Sequence, residues 1–231
     1  MQATLKAVAR YLLIRTKMVF RWLGSDRLAI NRYLAGASVR KLHLGAGSNI
    51  LADWLNADYF PIKSQVVHFD ATKKFQFDSN IFDFALNEHM IEHIPYPSAR
   101  NMLQEIHRVL KPGGVLRIST PDLAFLIGLL DSGRPAITQQ YINWTSAQWS
   151  PDATAGHESI YVLNNFFYNY GHRFIYTKSL LRQMLTDAGF KSITEQKILQ
   201  SRHTELVGLE NIHKIPPGFL ELESMIFEAV K

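Results

Sequence analysis

The chain has no cysteine. Disulfides, zinc–thiolate sites and cysteine nucleophiles are therefore excluded. The absence fits a reducing compartment, and a cytoplasmic location is the expectation. Low-complexity tracts and internal repeats are also missing from the 231 residues. Long apolar runs are absent near the start, where Lys6, Arg10, Arg15, Lys17 and Arg21 interrupt every stretch. No secretory leader or membrane span is expected there. Acidic charge is scarce in the same region. Residues 1–41 carry nine Lys or Arg against the single Asp26, whereas the remainder holds sixteen basic and nineteen acidic residues. The formal charge of +5 thus belongs to an N-terminal arm. Nucleic-acid binding usually shows a broad basic face, so no nucleic-acid partner is expected.

The length and the ordinary balance of 47% hydrophobic and 19% charged residues suit one α/β domain with appendages. Residues 2–23 read as a helix stopped by Gly24. At 100° per residue, Lys6, Arg10, Lys17 and Arg21 fall within roughly 60° of one another. Leu5, Val8, Leu12, Val19, Trp22 and Leu23 cover much of the opposite side, and Arg15 interrupts it. Two readings stand: a helix drawn to an anionic membrane surface, or one docked on its own domain or a second subunit. Ser25 can cap a second short helix to about residue 34. The division expected is a basic helical arm at 1–36 and a main domain at 37–231; the oligomeric state stays open.

Beyond the arm, strands and helices alternate. Strands are predicted at 39–44, 55–59, 66–69, 82–86, 115–119, 192–199 and 225–230. Helices are predicted at 97–110, closed by Lys111-Pro112-Gly113-Gly114, and at 177–188, closed by Gly189. Short β-branched runs alternating with helices imply an α/β fold with a doubly wound, mostly parallel seven-stranded sheet. Residues 131–176 carry Trp144, Trp149, Phe166, Phe167, Tyr168 and Tyr170 among polar residues and read as an inserted, aromatic-rich lid.

Three features sit at predicted strand ends, where open α/β sheets bind ligands. Gly45-Ala46-Gly47 follows the first strand and lets a ligand approach the backbone closely. Ser48-Asn49-Ile50 supplies no third glycine, which argues against a nicotinamide dinucleotide. Asp58 ends the second strand, where a carboxylate can accept hydrogen bonds from both hydroxyls of a ribose. Asp70 ends the third; it can accept from an adenine amino group while the Ala71 amide donates to the ring. Turn-forming roles are the bland alternatives for both aspartates.

Leu42-His43-Leu44-Gly45-Ala46-Gly47, Leu55-Asn56-Ala57-Asp58, Phe69-Asp70-Ala71, Asn87-Glu88-His89-Met90-Ile91-Glu92-His93 and Arg108-Val109-Leu110-Lys111-Pro112-Gly113-Gly114 follow one another in order. Gly171-His172-Arg173-Phe174-Ile175-Tyr176, the Asp187-Ala188-Gly189-Phe190 helix end and the final Phe227-Glu228-Ala229-Val230-Lys231 extend the series. Together they resemble the class I S-adenosylmethionine-dependent methyltransferases over about residues 39–231, and among them those linked to bacterial surface-polysaccharide pathways. The resemblance implies a Rossmann-like fold and S-adenosylmethionine as cofactor. It puts Gly45, Ala46 and Gly47 under that cofactor, Asp58 on its ribose, and Asp70 and Ala71 by its adenine. Asn87, Glu88 and His89 fall near its methionine end. Two departures stand out: His43 replaces the acid many relatives carry before the glycines, and the gap from Gly47 to Leu55 leaves room for only one or two helical turns.

The resemblance implies methyl transfer to a small-molecule or glycan acceptor, at oxygen. An alcohol acceptor needs a general base, for which His89 and His172 are the candidates, with Asp122 and His157 behind them. His89-Met90-Ile91-Glu92-His93 also matches the H-x-x-E-H pattern of inverted zinc peptidases. It follows a predicted strand directly and breaks at Pro95, so no metal site is expected. Two other function classes stay open: a non-catalytic relative acting in assembly, and a nicotinamide oxidoreductase.

Overall fold

A computed structural model describes residues 26–149 and 158–231. The predicted 2–23 helix, its Ser25 neighbour and His157 lie outside the described residues. Seven strands form one sheet: β1 (Lys41–Leu44), β2 (Leu55–Asp58), β3 (Val66–His68), β4 (Phe82–Glu88), β5 (Leu110–Pro121), β6 (Lys191–Glu195) and β7 (Ser224–Val230). Their order is β3-β2-β1-β4-β5-β7-β6. The first five are parallel, and β7 runs antiparallel between β5 and β6. The chain order reverses between β1 and β4, which leaves a crevice beyond their C-terminal ends.

Alternation along the strands sorts the two faces. Leu42, Leu44, Leu55, Ala57, Leu116, Ile118, Phe227 and Ala229 point into the main core. Covering them is α2 (Tyr96–Val109), whose Ala99, Met102, Leu103, Ile106 and Val109 recur at three- and four-residue spacing and are fully buried. Its first turn carries Pro97, where a missing N–H costs nothing. Beside it α6 (Lys178–Asp187) buries Leu181, Met184 and Leu185, and is capped by Thr177 Oγ1. Helix α1 (Asp26–Gly36) is held by side chains: Asp26 Oδ2 accepts from the His68 amide, and Tyr33 Oη lies between the Lys41 amide and carbonyl.

The opposite face is more polar, and among the described residues connectors and short turns cover most of it. His43 bonds Asn56 across β1 and β2. Arg117 is fully buried between Glu210 and Glu228, at 2.6 and 2.7 Å, and also donates to the Gln200 and Lys197 carbonyls. This set pins residues 197–210 across the sheet, where Leu206 and Trp54 fill the space by Leu86 and Val115.

Three expectations shift. The Gly47-to-Leu55 segment holds turns and no helix. The Lys111-Pro112-Gly113-Gly114 turn lies inside β5, which begins at Leu110 and resumes register after an irregularity opposite Phe82 and Phe84. A side chain at Gly114 would meet the Lys111 and Asp83 carbonyls at 2.9 and 3.1 Å, so the crossing demands glycine. Strand β6 stops at Glu195 instead of running to 199.

After β5 the chain builds a helical cap: α3 (Leu123–Gly128), α4 (Ala136–Trp149), α5 (Glu158–Asn164) and a π turn over Asn165–Asn169. It has its own core of Leu126, Leu129, Tyr141, Ile142, Val162, Leu163 and Phe166, joined by Phe219 of α7 (Phe219–Glu223). A single bridge, Asp122 with Tyr176, closes its base.

Candidate functional site: a strand-end crevice and the adjoining cleft

The glycine loop leaves β1 with the Gly45 and Ala46 amides both donating to the Ala57 carbonyl, at 2.9 and 3.1 Å. Gly45 has φ +78°, and a Cβ there would stand 2.5 Å from Met90 Cβ. Gly47 has φ +49°, and its nearest neighbour to such a Cβ is the Gly45 carbonyl oxygen at 4.0 Å, so the space over it is open. Its amide donates to Asp58 Oδ2 at 2.9 Å, while Asp58 Oδ1 accepts from the Phe60 amide. Each carboxylate oxygen keeps accepting capacity. At the next strand end Asp70 Oδ1 accepts from the Thr72 amide and hydroxyl, with Ala71 buried beside it.

At the end of β4, buried Asn87 donates through Nδ2 to the Leu44 carbonyl, and among the described residues its Oδ1 has no hydrogen-bond partner. Glu88 stands at the same strand end: Oε2 accepts from Asn49 Nδ2 and Oε1 from the Asn211 amide, joining two connectors. An open floor at Gly47, a carboxylate at Asp58 and an unmet buried acceptor at Asn87 fit a ligand with ribose hydroxyls and a positively charged amine, which S-adenosylmethionine has. Gly45, Ala46, Gly47, Asp58, Asp70, Ala71, Asn87 and Glu88 thus share one sheet edge.

Met90 stands over Gly45, whereas His89, one residue earlier, lines a cleft of about 300 Å³ between the sheet edge and the helical cap. His89 has φ +45°, strained for a residue with a side chain. Its Nε2 lies 2.7 Å from Ser224 Oγ and its Nδ1 3.4 Å from Glu92 Oε1. Burial works against the charged ring, but the contact and charge of Glu92, with Glu223 and Glu88 behind it, outweigh burial and raise the His89 pKa. Burial likewise opposes ionisation of Glu92, and His89 and His93 more than offset it, so its pKa is lowered. Glu92 Oε2 accepts from Thr120 Oγ1 at 2.9 Å.

Beside Glu92 and His93, His172 Nδ1 lies 2.8 Å from the Phe166 carbonyl oxygen, and burial lowers its pKa. Its ring meets that of His93 edge-on at 4.8 Å. Tyr141 Oη donates to Glu223 Oε2 at 2.6 Å; burial raises both pKa values. Trp144, Phe166 and Tyr170 supply the apolar wall. Asp122 is absent from the lining: its Oδ1 caps α3 through the Ala124 amide.

Both histidines singled out from the sequence therefore face one cleft. Sequence reasoning passed over Glu92, Tyr141, Glu223 and Ser224. Glu92 was visible only as the acid of the H-x-x-E-H pattern. Its turn, Ile91–His93, is a 3-10 helix, so His89 and His93 do not share an α-helical face. Tyr141 sits in the aromatic segment, and nothing in the sequence marks the Glu223-Ser224 pair.

A family model described as a methyltransferase domain matches residues 17–195. The chain belongs to the methyltransferase domain family. No curated protein matches the chain. Solved structures similar to it include an S-adenosylmethionine-dependent methyltransferase from Archaeoglobus fulgidus, 17% identical, covering 91% of this chain and 94% of that one at a TM-score of 0.48. Another, from Thermotoga maritima, is described as a possible histamine N-methyltransferase; it is 17% identical, with 94% and 96% covered and a TM-score of 0.47. Phosphoethanolamine N-methyltransferase 2 of Haemonchus contortus, in complex with S-adenosylmethionine, is 13% identical, with 90% of this chain and 52% of that one covered and a TM-score of 0.42.

Proposed function

We propose that the methyltransferase methylates an oxygen of a small polar acceptor, a sugar or glycan end, held in the cleft between His89 and the helical cap. The observation that carries this reading is the junction at β4: Met90 packs on the glycine loop while the preceding His89 opens onto the cleft. Donor loop and acceptor cleft are thereby one residue apart. When bound, S-adenosylmethionine supplies an activated methyl group on sulfur. Asp58 accepts from its ribose hydroxyls, Asp70 and the Ala71 amide meet its adenine, and Asn87 Oδ1 takes its amine. Gly45, Ala46 and Gly47 form the floor; Glu88 holds that floor in shape through Asn49.

Trp144 and Tyr170 offer flat apolar faces to a sugar ring, and Glu223 and Gln148 offer hydrogen bonds to its hydroxyls. His89, backed by Glu92, takes the proton from the acceptor hydroxyl, with Ser224 as the contact of its Nε2. His172, beside Glu92 and His93, orients the acceptor. A basic arm at 2–23 gives the cleft a route to a lipid-linked glycan, read from sequence alone. Liposome flotation with and without residues 1–23 tests that route; equal behaviour of both forms removes it. Among the described residues no helix is long and apolar enough to cross a membrane.

A screen of labelled methyl transfer to nucleotide sugars, oligosaccharides and small phenols tests the acceptor class. Label in an alkali-stable O-methyl sugar supports the reading, and label confined to amines contradicts it.

A further inference from the structure

Glu92, His93 and His172 bring ligand-capable atoms within 4.8 Å of one another on the cleft wall. We propose that these three side chains bind a divalent first-row transition-metal ion. The feature that points to a ligand is Glu92 Oε1. It is fully buried and, among the described residues, its one recorded contact is the ion pair with His89 Nδ1 at 3.4 Å, with no hydrogen bond that meets the geometric limits. One long contact leaves this buried carboxylate oxygen with accepting capacity that a metal ion can use.

The surroundings are those of held ligands. Thr120 Oγ1 donates to the other oxygen, Glu92 Oε2, and so fixes the plane of the carboxylate. His172 donates its Nδ1–H to the Phe166 carbonyl, which fixes the tautomer and leaves the lone pair on Nε2. Ligating imidazoles are oriented in this way in metal sites generally. The two ligand-bearing segments are also tied together, because the Glu92 carbonyl accepts from the Arg173 and Phe174 amides at 2.6 and 3.2 Å.

Two imidazoles and one carboxylate favour zinc, cobalt or iron over magnesium, and three protein ligands leave a coordination position open. That position belongs to the cleft, beside the place the proposed function gives to the acceptor oxygen. Metal binding itself does not depend on that reading. The ligand pair differs from the one the H-x-x-E-H spacing suggests: His93 is joined by His172, seventy-nine positions later in the chain, and not by His89.

The test uses tag-free full-length protein stripped with a chelator and titrated with Zn2+ and Co2+. One ion per chain is expected, with ligand-field absorption from bound cobalt. His93→Ala, an exposed position, and His172→Ala should each abolish stoichiometric binding, while Thr120→Val should weaken it by about 10–100-fold. S-adenosylhomocysteine binding to the same variants, measured by calorimetry, should be unchanged and shows that they are folded. Absence of stoichiometric zinc or cobalt overturns the proposal, as does an ion retained at full affinity by both histidine variants. If the wild-type chain binds the metal but not S-adenosylhomocysteine, the metal site stands and the functional reading falls.

Discussion

Met90 Cβ would lie 2.5 Å from a Cβ placed on Gly45, so the residue that follows His89 is packed directly on the glycine loop. This contact joins the two halves of the site. It also separates the roles of the two glycines. At Gly45 an alanine would meet both a positive φ and the Met90 stem, so Gly45→Ala should destabilise the fold. At Gly47 the space is free, and Gly47→Ala costs only the left-handed backbone, roughly 1–2 kcal/mol. Gly47→Ala should stay folded yet lose affinity for S-adenosylhomocysteine, because its methyl group fills the floor. Thermal denaturation and calorimetry on the two variants check this.

His89→Ala should lower kcat by about 10²–10⁴-fold, the usual contribution of a general base, with S-adenosylmethionine affinity unchanged. Glu92→Gln should lower kcat in the same direction, since His89 loses the carboxylate 3.4 Å from its Nδ1. Initial-rate kinetics on an identified acceptor, with calorimetry for the donor, separates the two effects. A fall in donor affinity with unchanged kcat would contradict the assignment.

Arg117 is buried between Glu210 and Glu228. Removing one partner of a buried ion pair leaves an uncompensated charge and costs about 3–5 kcal/mol. Arg117→Met strands the Glu210 and Glu228 carboxylates together and should therefore destabilise the protein by at least that order in urea denaturation. Lys178→Ala, which removes an exposed pairing with Glu195, should change stability by less than about 1 kcal/mol.

Burial lowers the pKa of His43 below its ordinary 6.5, with the Asn56 contact opposing. The unfolded chain binds that proton more readily than the folded one. Between the ordinary value and the lowered one, stability contributed by neutral His43 is present above about pH 6.5 and is lost as the pH falls. His43→Asn should flatten the pH dependence of the unfolding midpoint between pH 7.5 and 5.5, by about one proton at most. An unchanged slope would show that His43 is not held neutral.

Much of this was legible in the sequence. Short apolar runs ending in glycine, aspartate or asparagine placed β1 to β4 and the crevice at their ends. Spacing placed the buried stripe of α2, and capping residues placed α6. What failed to show has physical causes. Lys111-Pro112-Gly113-Gly114 has turn composition, yet it lies within a strand irregularity that only glycine permits at position 114. Nothing in the sequence marks Arg117 as buried, because its partners at 210 and 228 are far along the chain. Glu223 joins the cleft, and Ser224 reaches His89, because β7 returns antiparallel beside β5.

The measurement that bears most directly on the whole account is a crystal structure with S-adenosylhomocysteine bound. The account predicts the ribose on Asp58, the ligand lying over Gly47, and the sulfur turned toward His89 and the cleft. A ligand held elsewhere, or one with its sulfur turned away from His89, would contradict it.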